Sequence, residues 1–117
     1  MSIKFILILC VFTLASPLLA QHTSKKIKWN VNEEDGITWA MNCEFVGNHL
    51  NTVKDIEGQY CGMLCASTLE CTHFVWMRKS GGTCELKKGS ISLEQAKWKR
   101  QRGIVCGIVP QEEDDDE

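Results

Sequence analysis

Six cysteines fall between residues 43 and 106 of a 117-residue chain, and this crowding constrains the fold more than any other feature of the sequence. A seventh, Cys10, stands apart. What the six can do depends on the compartment, and the first twenty residues indicate one. Lys4 precedes an apolar run from Phe5 to Ala15, FILILCVFTLA, which Ser16 and Pro17 break before Leu18-Leu19-Ala20. That is the order of a secretory signal peptide, so residues 1–20 are expected to be cleaved after Ala20. The alternative, an N-terminal membrane anchor, would need about 20 apolar residues. No second run of that length follows, so no membrane insertion of the mature chain is expected. Cleavage removes Cys10 and leaves an even number, which in an oxidising compartment predicts three disulfides. Six cysteines admit many connectivities, and spacing alone leaves them open.

Length and composition narrow the class further. A chain of this size usually forms one domain, too small for a two-domain enzyme with a large cleft. A hydrophobic fraction of 44% beside 24% charged is globular rather than disordered. The formal charge of −2 is too mild to indicate a nucleic-acid partner. It also hides an asymmetry. The last six residues, Glu112 to Glu117, are all acidic, whereas residues 21–111 carry 12 cationic and nine acidic side chains, a net +3.

Along the chain, residues 21–36 are polar without a sustained period and read as a flexible arm, with Ile27 and Trp29 available to touch the domain. The cysteines bracket a folded unit at 37–110. Residues 111–117 are a like-charge block expected to be disordered. Gln59 to Ser67 reads as a helix, with Cys61, Leu64 and Cys65 on one face and Asp55 or Gly58 as its cap. Gly62 weakens that helix by up to ~1 kcal/mol relative to Ala. Thr72 to Met77 has strand composition, with Thr72, Phe74 and Trp76 on one face. Ser80-Gly81-Gly82 then turns the chain into a second strand at 83–87, giving a hairpin. Residues 103–109 and 37–45 read as further strands, and His49 as part of a turn. Ser92-Leu93-Glu94-Gln95 has the form of a capping box, so a short helix near 93–100 competes with an extended reading. The expected class is α+β, a small disulfide-rich antiparallel β-sheet packed around one short α-helix.

Several strings together resemble the PAN/apple domain family. They are Asn42-Cys43-Glu44-Phe45-x-Gly47-Asn48, then Cys61-x3-Cys65-x5-Cys71-Thr72-His73-Phe74-x-Trp76, then Thr83-Cys84-x-Leu86-Lys87, and finally Val105-Cys106-Gly107. The resemblance covers roughly 70 residues and is to the single-domain secreted type. It implies a nested pairing, Cys43–Cys106, Cys61–Cys84 and Cys65–Cys71. In the chain-entropy description such loops contribute about 2.4 kcal/mol for the smallest and about 4.3 for the largest. It also implies a binding role toward carbohydrate or protein.

The residues offer little for catalysis. Cys-x3-Cys and Cys-x5-Cys lack the Cys-x2-Cys spacing of zinc sites, and oxidised cysteines are not ligands. His22, His49 and His73 form no recognisable nucleophile–base set. No enzyme activity, cofactor or metal is expected. Binding is the remaining class. Lys97-Trp98-Lys99-Arg100-Gln101-Arg102 sets four cations around an indole, and Arg78, Lys79 and Lys88 belong to the nearby hairpin. Such clusters hold sulfated glycans and other polyanions, while the indole offers a stacking face. The competing reading is a solvated basic loop with Trp98 packed inward. The expected function is a secreted binding module for an anionic glycan or an extracellular protein. The alternatives are a small secreted inhibitor or effector aimed at one protein partner, and a self-associating matrix component. The acidic tail would compete with an anionic ligand if it folded back onto residues 97–102.

Overall fold

The computed structural model describes residues 26–111. The signal-peptide assignment for 1–20, the first residues of the arm and the acidic run 112–117 lie outside the described residues. In chain order the elements are β1 (Asn30–Val31), β2 (Thr38–Met41), β3 (Cys43–Glu44), β4 (His49–Lys54), α1 (Gly58–Ala66), β5 (Cys71–Met77), β6 (Thr83–Lys88), a 3₁₀ turn (Leu93–Gln95), β7 (Lys97–Trp98) and β8 (Ile104–Ile108). Six strands form one antiparallel sheet in the order β1-β2-β8-β5-β6-β4. β3 and β7 pair as a separate two-stranded ribbon.

The period-two alternation of β5 sets the layering. Phe74 and Trp76 face α1, while His73 and Val75 face the ribbon. The partner strands repeat this. Cys84 and Leu86 join Ile37, Cys61 and Cys65 in the core beneath the helix. Ala40, Ile104 and Cys106 join Cys43 and Phe45 in the core beneath the ribbon. The sheet is therefore buried on both faces, which explains why β5 reads as a nearly continuous apolar run.

The helix lies close to the sheet because Gly62 faces it. A Cβ there would stand 3.1 Å from the Phe74 ring and 3.3 Å from Ile37. The small propensity loss at this position is the condition for close packing. Neither expected residue caps the helix. Glu57 occupies the N-cap without a side-chain bond to the helix backbone, its Oε1 accepting instead from Gln59 Nε2 at 3.2 Å, while Asp55 turns the chain at φ 61°. At the other end Thr68 Oγ1 donates to the Leu64 carbonyl at 2.6 Å.

Disulfides tie the layers together. Cys61–Cys84 joins the helix to β6, Cys65–Cys71 joins its C-terminal turn to the start of β5, and Cys43–Cys106 joins the ribbon to β8. Their Cα–Cα separations are 5.5, 5.2 and 5.4 Å respectively, within the bridging range. All six sulfurs belong to buried residues. The described residues thus form a small disulfide-rich α+β domain with an antiparallel sheet and one α-helix.

Four local expectations require correction. The strand expected across 37–45 is two strands, because Asn42 takes a left-handed φ of 61° and sends the chain from the main sheet to the ribbon. His49 does not sit in a turn but begins β4, whose bulge between His49 and Asn51 follows the sharp bends at Gly47 and Asn48. The short helix near 93–100 is one 3₁₀ turn. Its capping box is present, with Ser92 N donating to Gln95 Oε1 at 3.0 Å, but extended backbone at Ala96 and strand β7 follow at once. The arm is not loose from residue 30 onward, since Asn30 and Val31 pair with Trp39 and Thr38. Ile27 and Trp29 are half-buried against the ribbon-side core.

Candidate functional site

The basic segment enters as β7 and turns back into β8. Cys43 pairs with Trp98 and Glu44 with Lys97. Lys99 N then donates to the Asn42 carbonyl at 2.8 Å, and Asn42 Nδ2 to the Gln101 carbonyl at 3.0 Å. These bonds fix the backbone of the turn while leaving Lys97, Arg100 and Arg102 exposed. Lys99 is the exception, because its ammonium lies 3.5 Å from Glu44 Oε2. A half-exposed pair of this kind contributes about 0.5 kcal/mol, so the contact orients Lys99 more than it stabilises the fold.

Arg78 joins this turn through the sheet. Its amide donates to the Gly103 carbonyl at 3.0 Å, and a Cβ on Gly103 would stand 3.0 Å from Arg78 Cβ. Lys79 follows in the same exposed loop. Arg78 and Lys79 thus belong to the same end of the molecule as Arg100 and Arg102. Lys88 does not. It closes the opposite end of β6, ~17 Å away along a six-residue strand. Gln111, where the described chain ends, borders Thr72, Gly89 and Ser90 at that same far end.

Sequence reasoning missed two cations. Lys26 and Lys28 border the shallow depressions lined by Trp98, together with Ile27 and Trp29 of the arm. Trp98 is half-buried, so neither the fully inward nor the fully exposed reading of its indole applies. A signal was present: residues 26–30 alternate cationic or polar with apolar, and their burial alternates likewise.

Beneath the ribbon lies a buried polar group. His73 is fully buried and meets Phe45 edge-on, with ring centroids 5.1 Å apart. Thr72 Oγ1 donates its one hydrogen to the Gly89 carbonyl at 2.7 Å and therefore accepts from His73 Nδ1 at 2.8 Å. That tautomer leaves Nε2 as an acceptor, and it has no hydrogen-bond partner. Burial, and secondarily the Lys87 charge, lower the imidazole pKa from 6.5 to about 4. Lys87 is itself buried, donating to the Gly47 carbonyl at 2.9 Å with Glu85 3.8 Å away. These groups hold the start of β5 and the 45–48 bend together.

A cleft of about 320 Å³ opens on the other side of the sheet, between α1 and the turn joining β1 to β2. Ile37, Trp39, Phe74 and Val105 form its apolar part, and Asn32, Asp35 and Gln59 its polar part. No local motif announces it, since one wall comes from residues 32–39 and the other from residues 58–63. Among the described residues, no group of three or more His, Cys, Asp or Glu side chains is placed to hold a metal ion. No helix among them is long and apolar enough to cross a membrane. Three disulfides in so small a domain are consistent with an extracellular protein. Compared with known proteins, the chain matches no family model, no curated protein and no solved structure.

Proposed function

We propose that this chain is a secreted, non-enzymatic binding module of the PAN/apple type that takes an anionic glycan on the basic face around Trp98. One observation carries the reading. The turn at 99–103 brings Arg100 and Arg102 to the end of the sheet that also bears Arg78 and Lys79, while Lys26 and Lys28 flank Trp98 from the arm. Because the backbone of the turn is already hydrogen-bonded, docking an extended polyanion has to order the cationic side chains but not the turn that carries them. The indole beside them adds an apolar face for the sugar rings. The signal-like leader and the disulfides support export, and the cysteine spacing supports the family.

Heparin chromatography of the mature chain tests this. Retention above physiological salt is expected, with log affinity falling linearly against log salt as several counterions are released. Passage through the resin unretained at low salt would dispose of the reading.

A second reading, a protein-directed inhibitor or effector, draws on Tyr60 and Met63, which are exposed three residues apart on α1, with Leu69 exposed just beyond it. Salt-insensitive capture of one protein partner, lost on Met63→Asp, would favour it over the glycan.

A further inference from the structure

We infer that the cleft between α1 and the β1–β2 turn is a second binding site, selective for a neutral hexopyranose. The inference does not rest on the basic face, because β3 and β7 lie on the opposite side of the sheet from the helix.

The lining carries the argument. The cleft holds about 320 Å³, the lower end of the range for small-molecule sites, so one or two sugar rings match it. No Lys, Arg or His lines it, and its one charged group is the Asp35 carboxylate. That charge disfavours sulfated and carboxylated sugars. An organic cation would need acceptors only, yet two amides, Asn32 and Gln59, line the cleft with the carboxylate, Gln59 giving one amide hydrogen to Glu57 Oε1 at 3.2 Å and keeping the other. Carboxylate plus amides offers acceptors and donors together, which matches hydroxyl groups that both donate and accept. The apolar C–H face of the ring would rest on the Trp39 indole.

The polar groups are also pre-positioned. Trp39 Nε1 donates to Asn32 Oδ1 at 3.0 Å, which fixes the indole plane and leaves the Asn32 amide hydrogens for a ligand. Asp35 Oδ1 accepts from Ile37 N at 3.0 Å, and Gly36 N donates to the Asn32 carbonyl at 2.8 Å. These bonds shape the turn within itself before a ligand arrives, so what remains on binding is to close it against α1.

Indole N–H resonances of the full mature protein, with Trp39 assigned from Trp39→Phe, provide the test. The probes are methyl glycosides of galactose, mannose, glucose and N-acetylglucosamine at tens of millimolar. At least one should shift the Trp39 resonance saturably with a Kd of about 1 mM. Asp35→Asn retains an acceptor for Ile37 N and keeps the turn, and it should weaken that sugar about tenfold. Gln59→Ala, on an exposed helix position, should weaken it as well, and neither substitution should change heparin elution. The inference is overturned if no glycoside moves the Trp39 resonance, if both variants bind like the parent, or if tetramethylammonium saturates the site and the sugars do not.

Discussion

His73 on β5 and Lys87 on β6 are Cα partners across the central hairpin, and both side chains are buried. A neutral imidazole tolerates that neighbour and a protonated one does not. The folded-state pKa of about 4 lies below the unfolded value of 6.5, so the unfolded chain binds the extra proton between those limits. The stabilisation this histidine supplies is complete above pH 6.5 and is lost as pH falls toward 4, up to about 3 kcal/mol. Urea titrations across that window should show the decline, and His73→Phe should flatten it. Equal pH slopes for the two proteins would refute the assignment.

The same pair yields a spectroscopic prediction. Lys87→Met removes the secondary cause of the shift and leaves the larger one, burial, in place. The His73 pKa, followed through its ring protons, should rise from about 4 yet stay below 6.5. The variant should also lose about 1–3 kcal/mol, because the Gly47 carbonyl loses its charged donor. An unmoved pKa would show that the ammonium does not act on the ring.

Gly107 lies between Trp39 and Phe74 in the register of the sheet. A Cβ there would overlap the Phe74 ring and stand 2.7 Å from the Thr38 carbonyl. Gly107→Ala should therefore cost about 1–3 kcal/mol by overpacking, despite alanine's better intrinsic propensity. Thermal unfolding by circular dichroism checks this, and an unchanged midpoint would contradict the packing described.

Replacing Cys61 and Cys84 together by serine should cost about 2–5 kcal/mol, since that bond anchors the helix to β6. Hydrogen exchange should then rise first in residues 58–66. Retained protection there would mean that Phe74 and Leu86 hold the helix without the crosslink.

Charge reversal separates the two ends of the molecule. Arg102→Glu should lower the salt needed to elute the protein from heparin far more than Lys88→Glu, which makes the same change of charge at the opposite end of β6. Equal shifts would mean that total charge, rather than the turn at 99–103, governs retention.

The fold was legible where the signal was local. Cys61, Leu64 and Cys65 at helical spacing marked α1, and Thr72 to Met77 marked β5, because burial on both faces enforces those patterns. β4 was not legible, since an edge strand reading HLNTVK buries little and carries no clear alternation. The break at Asn42 depends on a backbone conformation that neighbouring residues do not announce. Of the basic surface, Arg100 and Arg102 were identifiable by clustering. Lys88 was wrongly grouped with them because nearness in sequence across a hairpin does not mean the same end of it. The cleft escaped entirely, for Asn32 and Gln59 meet only after the sheet has formed.

Among the described residues no crosslink reaches the chain before Cys43, so the two walls of the cleft differ in mechanical character. Gln59 and Met63 ride on a helix bolted down at two points, while Asn32, Asp35 and Trp39 belong to a flap held without a disulfide, by strand pairing, by its own hydrogen bonds and by the packing of Ile37, Trp39 and Ala40. The flap is the part that a protease or a brief thermal opening reaches first. Whatever fills the cleft must clasp the flap against the helix, so occupancy would be felt as resistance to clipping near residues 32–36 before any other change in the molecule.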